Sequence, residues 1–308
     1  MSWNDINFFY SDHFEVSLSE KHRFPIDKYR LLRACLTEQG VIQKSQCKPS
    51  EMISKELLML AHDPKYIEEV LNLTLDKKQA RPIGLPLNND MVNRTRASAQ
   101  AFTSAVDESL IHGYGASFAG GTHHAHFDAG EGFCFFNDFA INVRRLYQLY
   151  PQKNILILDL DVHQGNGNSS ILKNDLNVFI VSFHGKSNYP YRKVESHIDV
   201  GFENNTADDV YLSKLTEVIN KLKKMSFDHI FYQAGVDTLA ADSFGKLSLT
   251  HEGLVKRDEL VFKWAFEEKI PIASAIGGGY AKDIQETVKA YVSTFKTAKR
   301  YYLKNFCL

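Results

Sequence analysis

Three side chains that can bind a metal ion fall within five residues near the middle of the chain. Asp159, Asp161 and His163 directly follow a short run of Ile and Leu, and a glycine-rich turn comes next. An apolar run this short, with polar residues on both sides, predicts a buried strand. Acids and a histidine at the end of such a strand are typical of a metal or catalytic site, although an acidic surface turn could have the same composition.

Three other predicted strands also end in polar, glycine-rich turns. His123 and His124 follow one of them, Asp237 follows another, and Tyr280 follows a third. Ligands of α/β folds bind outside the carboxyl ends of the strands. If these four strands are parallel neighbours, their turns open onto one edge of the sheet, and the sequence predicts a single site there.

Asp161, His163 and Asp237 are the predicted metal ligands. Zinc accepts carboxylate oxygen and imidazole nitrogen, and a hydrolytic zinc site keeps three protein ligands and an open position. Iron(II) also fits, because the set contains no thiolate. The alternative for Asp237 is that its carboxylate caps a turn.

His123 and His124 form a predicted acid–base pair beside the metal, since imidazole exchanges a proton near neutral pH. Asp159 would hold one of the two histidines in its tautomer, or alternatively cap the turn after the strand. His126 is predicted to be structural. Tyr280 follows three glycines and could donate a hydrogen bond to a developing oxyanion, whereas the common alternative is a packed aromatic ring.

Predicted strands alternate with predicted helices along the chain. This alternation is typical of a mostly parallel sheet with helices on both faces, and we predict a single α/β domain over residues 1–308. The predicted strands cover residues 6–10, 115–119, 154–160, 177–183, 229–234 and 271–276. The predicted helices cover residues 27–39, 50–61 with Ser50 as N-cap, 65–71, 91–111, 137–149, 207–224, 251–268 with Thr250 as N-cap, and 282–300. Residues 81–86, 184–206 and 235–249 are predicted to be mostly loop.

The overall composition excludes several classes of protein. The net charge of −1 gives no general attraction to nucleic acid or to an anionic membrane, and no apolar run is long enough for a transmembrane helix. The N-terminus does not have the pattern of a secretory signal, so the cytoplasm is the expected compartment, or the nucleus in a eukaryote. The cysteines are scattered, which argues against disulfides and thiolate zinc sites: Cys35, Cys47, Cys134 and Cys307. Nothing in the sequence indicates an oligomeric state.

At these residues the chain resembles the zinc-dependent histone deacetylase family, including its bacterial deacetylase-like members. The matching stretches occur in the family's order: GGTHHAHFDAGEGFCFFND at 120–138, LDLDVHQGNG at 158–167, QAGVDTLAADSFGKLSLT at 233–250 and GGGY at 277–280. The resemblance implies the arginase/deacetylase fold and hydrolysis of the amide of an acylated lysine, in a protein or peptide, or of an acylated small amine.

The resemblance also implies a role for each site residue. It makes Asp161, His163 and Asp237 the zinc ligands, and it makes His124 the general acid–base residue. His123, partnered by Asp159, would act electrostatically, and Tyr280 would polarise the scissile carbonyl. Substrate would contact a further set of residues along an acyl-lysine tunnel: Gly132, Phe133, Gly278 and Tyr189. From the residues alone, a core strand is the simpler interpretation of the segment around Phe133. A structural potassium ion would lie near Asp159, Ser182 and Phe183.

Two departures from the family pattern affect what is expected. Gln164 and Asn166 replace a histidine and an aspartate that many members have after the central strand, so Asn166 would orient His124 without adding negative charge. This form, with the segment 253–262, resembles the class IV branch, which is associated with removal of long acyl chains. The loop that usually supplies a second tunnel phenylalanine offers Tyr189 or Tyr191 instead.

Two other functions remain open from the sequence. A ureohydrolase of the arginase type would share the fold, but it needs a second metal, and the chain contains no Asp-x-His-x-Asp run to bind one. A non-catalytic module could keep the pocket and bind acylated tails without turnover.

Overall fold

A single sheet of eight strands, all parallel to their neighbours, forms the centre of the structure. This computed structural model describes residues 2–19 and 21–306. The strands are β1 (Phe8–Tyr10), β2 (Cys47–Pro49), β3 (Tyr114–Ser117), β4 (Ile155–Asp159), β5 (Val178–Gly185), β6 (Ile198–Phe202), β7 (His229–Gln233) and β8 (Ile272–Ala275). Their order across the sheet is β2-β1-β3-β8-β7-β4-β5-β6. The predicted mostly parallel α/β fold is therefore confirmed.

Helices cover both faces of this sheet. The helices are α1 (Lys28–Glu38), α2 (Lys55–Leu58), α3 (Pro64–Leu71), α4 (Lys77–Ala80), α5 (Asn89–His112), α6 (Asp138–Leu149), α7 (Asn166–Leu172), α8 (Asp208–Leu222), α9 (His251–Glu267) and α10 (Ile284–Phe306). Apolar residues of α1, α8, α9 and α10 form one core with the sheet, and those of α3, α5, α6 and α7 form a second core. No helix within residues 2–19 and 21–306 has a stretch apolar and long enough to cross a membrane.

The central strand β4 shows why both faces must be covered. Leu156 and Leu158 pack into the first core, whereas Ile155 and Ile157 pack into the second, and all four are fully buried. Successive side chains of a strand point to opposite faces, so a strand between two helical layers is apolar at every position. The apolar run that precedes Asp159 is therefore the sequence pattern expected of a strand that is covered by helices on both faces.

The predicted helix over residues 50–61 is wrong for most of its length. The helix begins only after Ser54, whose hydroxyl accepts a hydrogen bond from the backbone N–H of Leu57, and it ends at Leu58. Residues 47–49 instead pair with β1, and the backbone N–H of Ser50 extends this pairing by donating to the carbonyl of Tyr10. By contrast, Thr250 caps α9 as predicted, accepting from the N–H of Gly253.

Four elements were not predicted from the sequence: the strands β2 and β6 and the short helices α4 and α7. Residues 198–202, expected to be loop, form the edge strand β6, which pairs with β5. The glycine-rich turn after β4 leads directly into α7. A Cβ on Gly167 would lie 2.3 Å from the carbonyl oxygen of Ala125, so α7 can pack here only because this residue is glycine. Cys35, Cys47 and Cys134 are free thiols as expected, and Cys307 lies outside the described residues.

A buried ion pair joins α9 to the end of β7. The guanidinium of Arg257 lies 2.8 Å from the carboxylate of Asp258 and donates to the carbonyl of Gly235, and both charged side chains are at most 1% exposed. Asp258 also accepts from the hydroxyls of Tyr232 and Thr294. This network ties α9 and α10 to the turn that carries Asp237.

Replacement of Asp258 by Asn should therefore destabilise the fold strongly. The variant leaves the Arg257 cation buried without a counter-charge, which costs about 3–5 kcal/mol in such pairs. The free energy of unfolding in urea measures this loss. The matched control is Glu259→Gln, which breaks an exposed pair with Arg300 and should cost under about 1 kcal/mol. Equal losses in both variants would contradict a structural role for the buried pair.

Candidate active site

The four strand ends singled out in the sequence meet at one edge of the sheet. The strands β3, β8, β7 and β4 are consecutive neighbours and run parallel, so their carboxyl ends lie side by side. The turns after them carry the residues that were expected to share a site: His123, His124, Asp161, His163, Asp237 and Tyr280. The structure therefore brings the predicted site residues together at this edge, as the interpretation of one site requires.

Two carboxylates and one imidazole form a compact group of potential metal ligands. One donor atom from each of Asp161, His163 and Asp237 lies within 4.8 Å of the other two, and all three residues are buried. His163 Nδ1 is 3.0 Å from an oxygen of each carboxylate. Burial by itself would lower the pKa of His163, but the adjacent carboxylates raise it to about 10, while burial and the charge of Asp161 raise the pKa of Asp237 to about 7.

The hydrogen bonds around this group leave one oxygen without a well-aligned donor. Asp237 Oδ1 accepts from the backbone N–H of Val162, whereas the buried Oδ2 lies 3.0 Å from His163 Nδ1 and accepts no well-aligned hydrogen bond within the described part of the chain. Asp161 Oδ2 accepts from the N–H of Gly278 at 2.6 Å. A Cβ on Gly278 would lie 1.7 Å from Asp237 Oδ2, so this approach requires glycine. An orphaned carboxylate oxygen within a set of oxygen and imidazole donors fits zinc or iron(II).

The two adjacent histidines have different hydrogen-bond partners. His123 Nδ1 lies 2.7 Å from a carboxylate oxygen of Asp159, whereas His124 Nδ1 lies 2.7 Å from the amide oxygen of Asn166. The amide nitrogen of Asn166 donates to Glu131 and to His126, which fixes the oxygen toward His124. His124 therefore donates through Nδ1, and its Nε2 has a free lone pair.

These partners give the two histidines different charge states near neutral pH. Burial would lower the pKa of His123, but the charges of Asp159 and Asp161 raise it to about 9. Burial and the neighbouring His123 and His163 hold the pKa of His124 well below its usual range. The pair thus combines one imidazolium with one neutral imidazole that can accept a proton.

The loop that carries His123 and His124 is held in place by residues that were not among the predicted site residues. Both carboxylate oxygens of Asp138 accept backbone N–H bonds, one from Gly121 at 2.8 Å and one from Thr122 at 2.9 Å. The φ angles of Gly120 and Gly121 are +84° and +72°, which only glycine adopts readily. Gln233, at the end of β7, donates to the carbonyl of Gly121. The turn after β3 is therefore hydrogen-bonded both to the start of α6 and to the end of β7.

An outer groove of about 440 Å³ leads from the surface to the metal-binding group. Gly132 and Phe133 line this groove, as does Tyr189, whose ring packs edge-on against His124 with centroids 5.1 Å apart. Gly132 and Phe133 form a turn and not a core strand, so the simpler interpretation of this segment is wrong. A Cβ on Gly132 would approach His124 to 2.5 Å. Tyr191, the other candidate for the tunnel wall, is 86% exposed.

A smaller inner cavity of about 70 Å³ continues behind the site, and it contains a lysine that the sequence did not single out. Lys28 is buried, its Nζ donates to the carbonyl of Gly277 at 2.8 Å, and it lies 5.0 Å from the ring centroid of Tyr280. Burial lowers the pKa of Lys28 to about 8. No local sequence signal marks this lysine, because its partners lie about 250 residues away in the chain.

Tyr280 is positioned by a second residue that was missed. Its backbone N–H donates to Asp242 at 2.6 Å, and the same carboxylate accepts from the N–H groups of Phe244 and Gly245. Burial, with the charges of Asp161 and Asp237, holds the pKa of the Tyr280 hydroxyl well above its usual range, so the hydroxyl keeps its proton. Asp242 lies within the stretch 233–250 on which the family resemblance rests, so this stretch is the sequence signal that could have identified Asp242 as a site residue.

The residues expected near a potassium ion lie on neighbouring strands. Asp159 and Ser182 are register partners of β4 and β5. Asp159 Oδ1 accepts from the N–H of Asp161, and Ser182 Oγ lies 3.0 Å from His184 Nδ1. The side chain of Phe183 packs against aromatic rings in the core, so only its backbone could reach an ion. The potassium site stays a prediction.

Comparisons with known proteins agree with this geometry. An uncharacterized protein of Picosynechococcus sp. (strain ATCC 27264 / PCC 7002 / PR-6) is 38% identical over 294 residues, or 95% of this chain and 98% of that protein. Histone deacetylase 2 of Arabidopsis thaliana is 26% identical and is matched over 90% of this chain and 75% of its own length. The solved acetylpolyamine aminohydrolase from Burkholderia pseudomallei shares the fold, with a TM-score of 0.77 at 16% identity over 95% of this chain and 98% of its own. Since residues 22–295 match the histone deacetylase domain, the chain belongs to the histone deacetylase family.

Proposed function

We propose that the chain is a metal-dependent amidohydrolase that removes an acyl group from a lysine side chain or a related amine. The observation that carries this proposal is the arrangement at the bottom of the groove. A three-residue metal-binding group faces one neutral histidine and one cationic histidine, with a protonated tyrosine hydroxyl opposite. Amide hydrolysis needs a proton acceptor, a proton donor and a stabilised oxyanion, and this set contains all three.

Asp161, His163 and Asp237 would hold the metal ion, which we assign as zinc with iron(II) as the alternative. When bound there, the ion would supply Lewis acidity that polarises the scissile carbonyl and acidifies water. Gly278 keeps the space between the two carboxylates free, because any side chain at this position would enter it. The metal-binding group is therefore built jointly by the ends of β4, β7 and β8.

His124 would take the proton of the attacking water on Nε2. The pKa of His124 lies well below the usual range, so the imidazole is neutral at pH 7. Its Nδ1–H donates to the Asn166 oxygen, which leaves the lone pair on Nε2 free to accept a proton. His123 stays protonated beside Asp159 and would stabilise negative charge as the tetrahedral intermediate forms. A histidine of this pair would then protonate the leaving amine. The Tyr280 hydroxyl would donate to the carbonyl oxygen as it gains charge.

The size of the inner cavity favours a short acyl group. Its volume of about 70 Å³ is well below the roughly 150 Å³ of a cavity known to hold benzene, so an acetyl group fits and a long chain does not. The class IV resemblance points to long acyl chains instead, which would have to lie in the outer groove along Gly132, Phe133 and Tyr189. We propose acetyl as the preferred group and keep a potassium ion near Asp159 and Ser182 as a structural component.

The two alternatives have less support. Within the described residues the only group of three or more His, Cys, Asp or Glu side chains with metal-binding geometry is the one around His163, whereas a ureohydrolase needs a second metal. A binding module would not require a neutral His124 beside a protonated His123, although it could retain them.

A chain-length series tests the function directly. Initial rates would be measured on one lysine peptide carrying acyl groups from acetyl to myristoyl, with and without a chelator. We expect chelator-sensitive turnover that is highest for acetyl. A maximum at long chains would overturn the acetyl assignment but keep the hydrolase. Binding of acetyl-lysine without turnover on any substrate, acylated amines included, would favour the binding module.

Asp237→Asn should weaken metal binding by at least about 100-fold, since it removes an anionic ligand from a set of three. Titration with Zn²⁺, followed by the rise in Tm and by calorimetry, measures the affinity without reference to activity. The metal-free variant should be as stable as the wild type or more stable, because Asp161 and Asp237 no longer repel each other. The exposed Glu195→Gln variant is the control. Stoichiometric metal in purified Asp237→Asn would remove this residue from the ligand set.

Tyr280→Phe should fold normally and lose roughly 10²–10³ in kcat, the usual effect of one oxyanion donor. The ring contacts with Phe244 and Phe133 do not involve the hydroxyl, so Tm and Zn²⁺ affinity should match those of the wild type. Near-wild-type kcat would exclude this role for the hydroxyl.

Asn166→Asp should move the acidic limb of the kcat/KM profile to higher pH by about one unit or more. A carboxylate beside His124 Nδ1 raises the pKa of the imidazole, so the neutral form that accepts a proton is lost at a higher pH. The exposed Asn89→Asp variant at the start of α5 makes the same charge change elsewhere and should leave the profile unchanged. Superimposable profiles of Asn166→Asp and wild type would show that His124 does not set this limb.

A further inference from the structure

The charged side chains around the outer groove are of one sign. Among the described residues that line it, the formally charged ones are Arg23 and Lys246, both exposed. None of the described Asp and Glu residues lines the groove, although the protein as a whole has a net charge of only −1. The rim of the groove is therefore a local cationic region on a nearly neutral protein.

Contacts with the groove walls place these two cations. The guanidinium of Arg23 lies 5.8 Å from the ring centroid of Phe244, which in turn packs against Tyr280. Lys246 Nζ donates to the carbonyl of Ser187 at 3.1 Å, and both residues line the groove. Within residues 2–19 and 21–306, neither cation has a carboxylate within salt-bridge distance. Both charges are thus available to a ligand.

The acidic residues beside the groove are already engaged. Glu131 accepts a hydrogen bond from the Asn166 amide and lies 3.5 Å from His126 Nε2. Asp242 accepts backbone N–H bonds from Phe244, Gly245 and Tyr280 with its two oxygens. Both carboxylates thus accept hydrogen bonds from the protein, and neither is among the described residues that line the groove.

We propose that the groove selects acylated lysines that are flanked by acidic residues in a peptide or protein, and that it disfavours acylated polyamines. This inference rests on the proposed amidohydrolase function. An acylpolyamine brings further cations to the mouth, where they would meet Arg23 and Lys246, whereas acidic flanks bring opposite charge to the same place. The Debye length of about 8 Å at physiological salt is long enough for such charges to act across the groove. Tyr191, exposed at the rim, offers a flat surface for the flanking backbone.

Three acetyl-lysine peptides with acidic, neutral or basic flanks, and N-acetylspermidine, would be compared by kcat/KM with the zinc-loaded enzyme. Two exposed cation–anion contacts support a preference of roughly 5-fold to 20-fold for the acidic over the basic peptide at low salt, falling toward unity at high salt. Acetylspermidine should be the poorest substrate. Equal rates for the three peptides, or acetylspermidine as the best substrate, would overturn the proposal.

The double variant Arg23→Gln/Lys246→Gln should remove the preference for acidic flanks, so that the ratio of kcat/KM between the acidic and the basic peptide falls to about one. The control Lys263→Gln removes an exposed cation of α9 that does not line the groove, and it should keep the preference. A preference that survives in the double variant would assign it to other residues. Absence of turnover on every substrate would instead overturn the proposed amidohydrolase function, so the two failures are distinguishable.

Discussion

The structure of the site depends on holding two buried carboxylates, Asp161 and Asp237, close together. Burial of unpaired charge is costly, and each neighbouring element contributes a compensating group. His163 lies between the carboxylates, the N–H of Gly278 binds one of them, and the N–H of Val162 binds the other. Among the described residues, Oδ2 of Asp237 still accepts no well-aligned hydrogen bond although it lies 3.0 Å from His163 Nδ1, and such an oxygen is expected in a group completed by a cation.

The charge of this group also determines how the adjacent histidines behave. His123 is the residue closer to negative charge, since Asp159 lies beside it and Asp161 lies beyond, and it is held as the imidazolium. His124 faces that imidazolium with only the neutral Asn166 as partner, so it stays uncharged. Two identical side chains in sequence thus acquire different protonation states through their partners, as pairs of acid and base require.

The groove and the inner cavity divide the chemistry of recognition. The inner cavity is small and is lined by Lys28 and by the glycines after β8, and under the proposed function it would limit the size of the acyl group. The outer groove is wider, is walled by Phe133, Tyr189 and Phe244, and would receive the carrier of the acyl group. Specificity for the acyl group and specificity for the carrier would then depend on different residues.

The sequence by itself determined the sheet strands of the centre, the parallel α/β class and the residue types of the site, because apolar runs and strand-end motifs are local signals. It did not predict the edge strand β6 or the start of α2, where pairing with another strand overrides local preference. Only the tertiary structure decided which partner each histidine has, where Asp242 and Lys28 act, and how large the cavity is. Those properties arise from contacts between segments far apart in the chain, such as Lys28 with Gly277, and no local pattern encodes them.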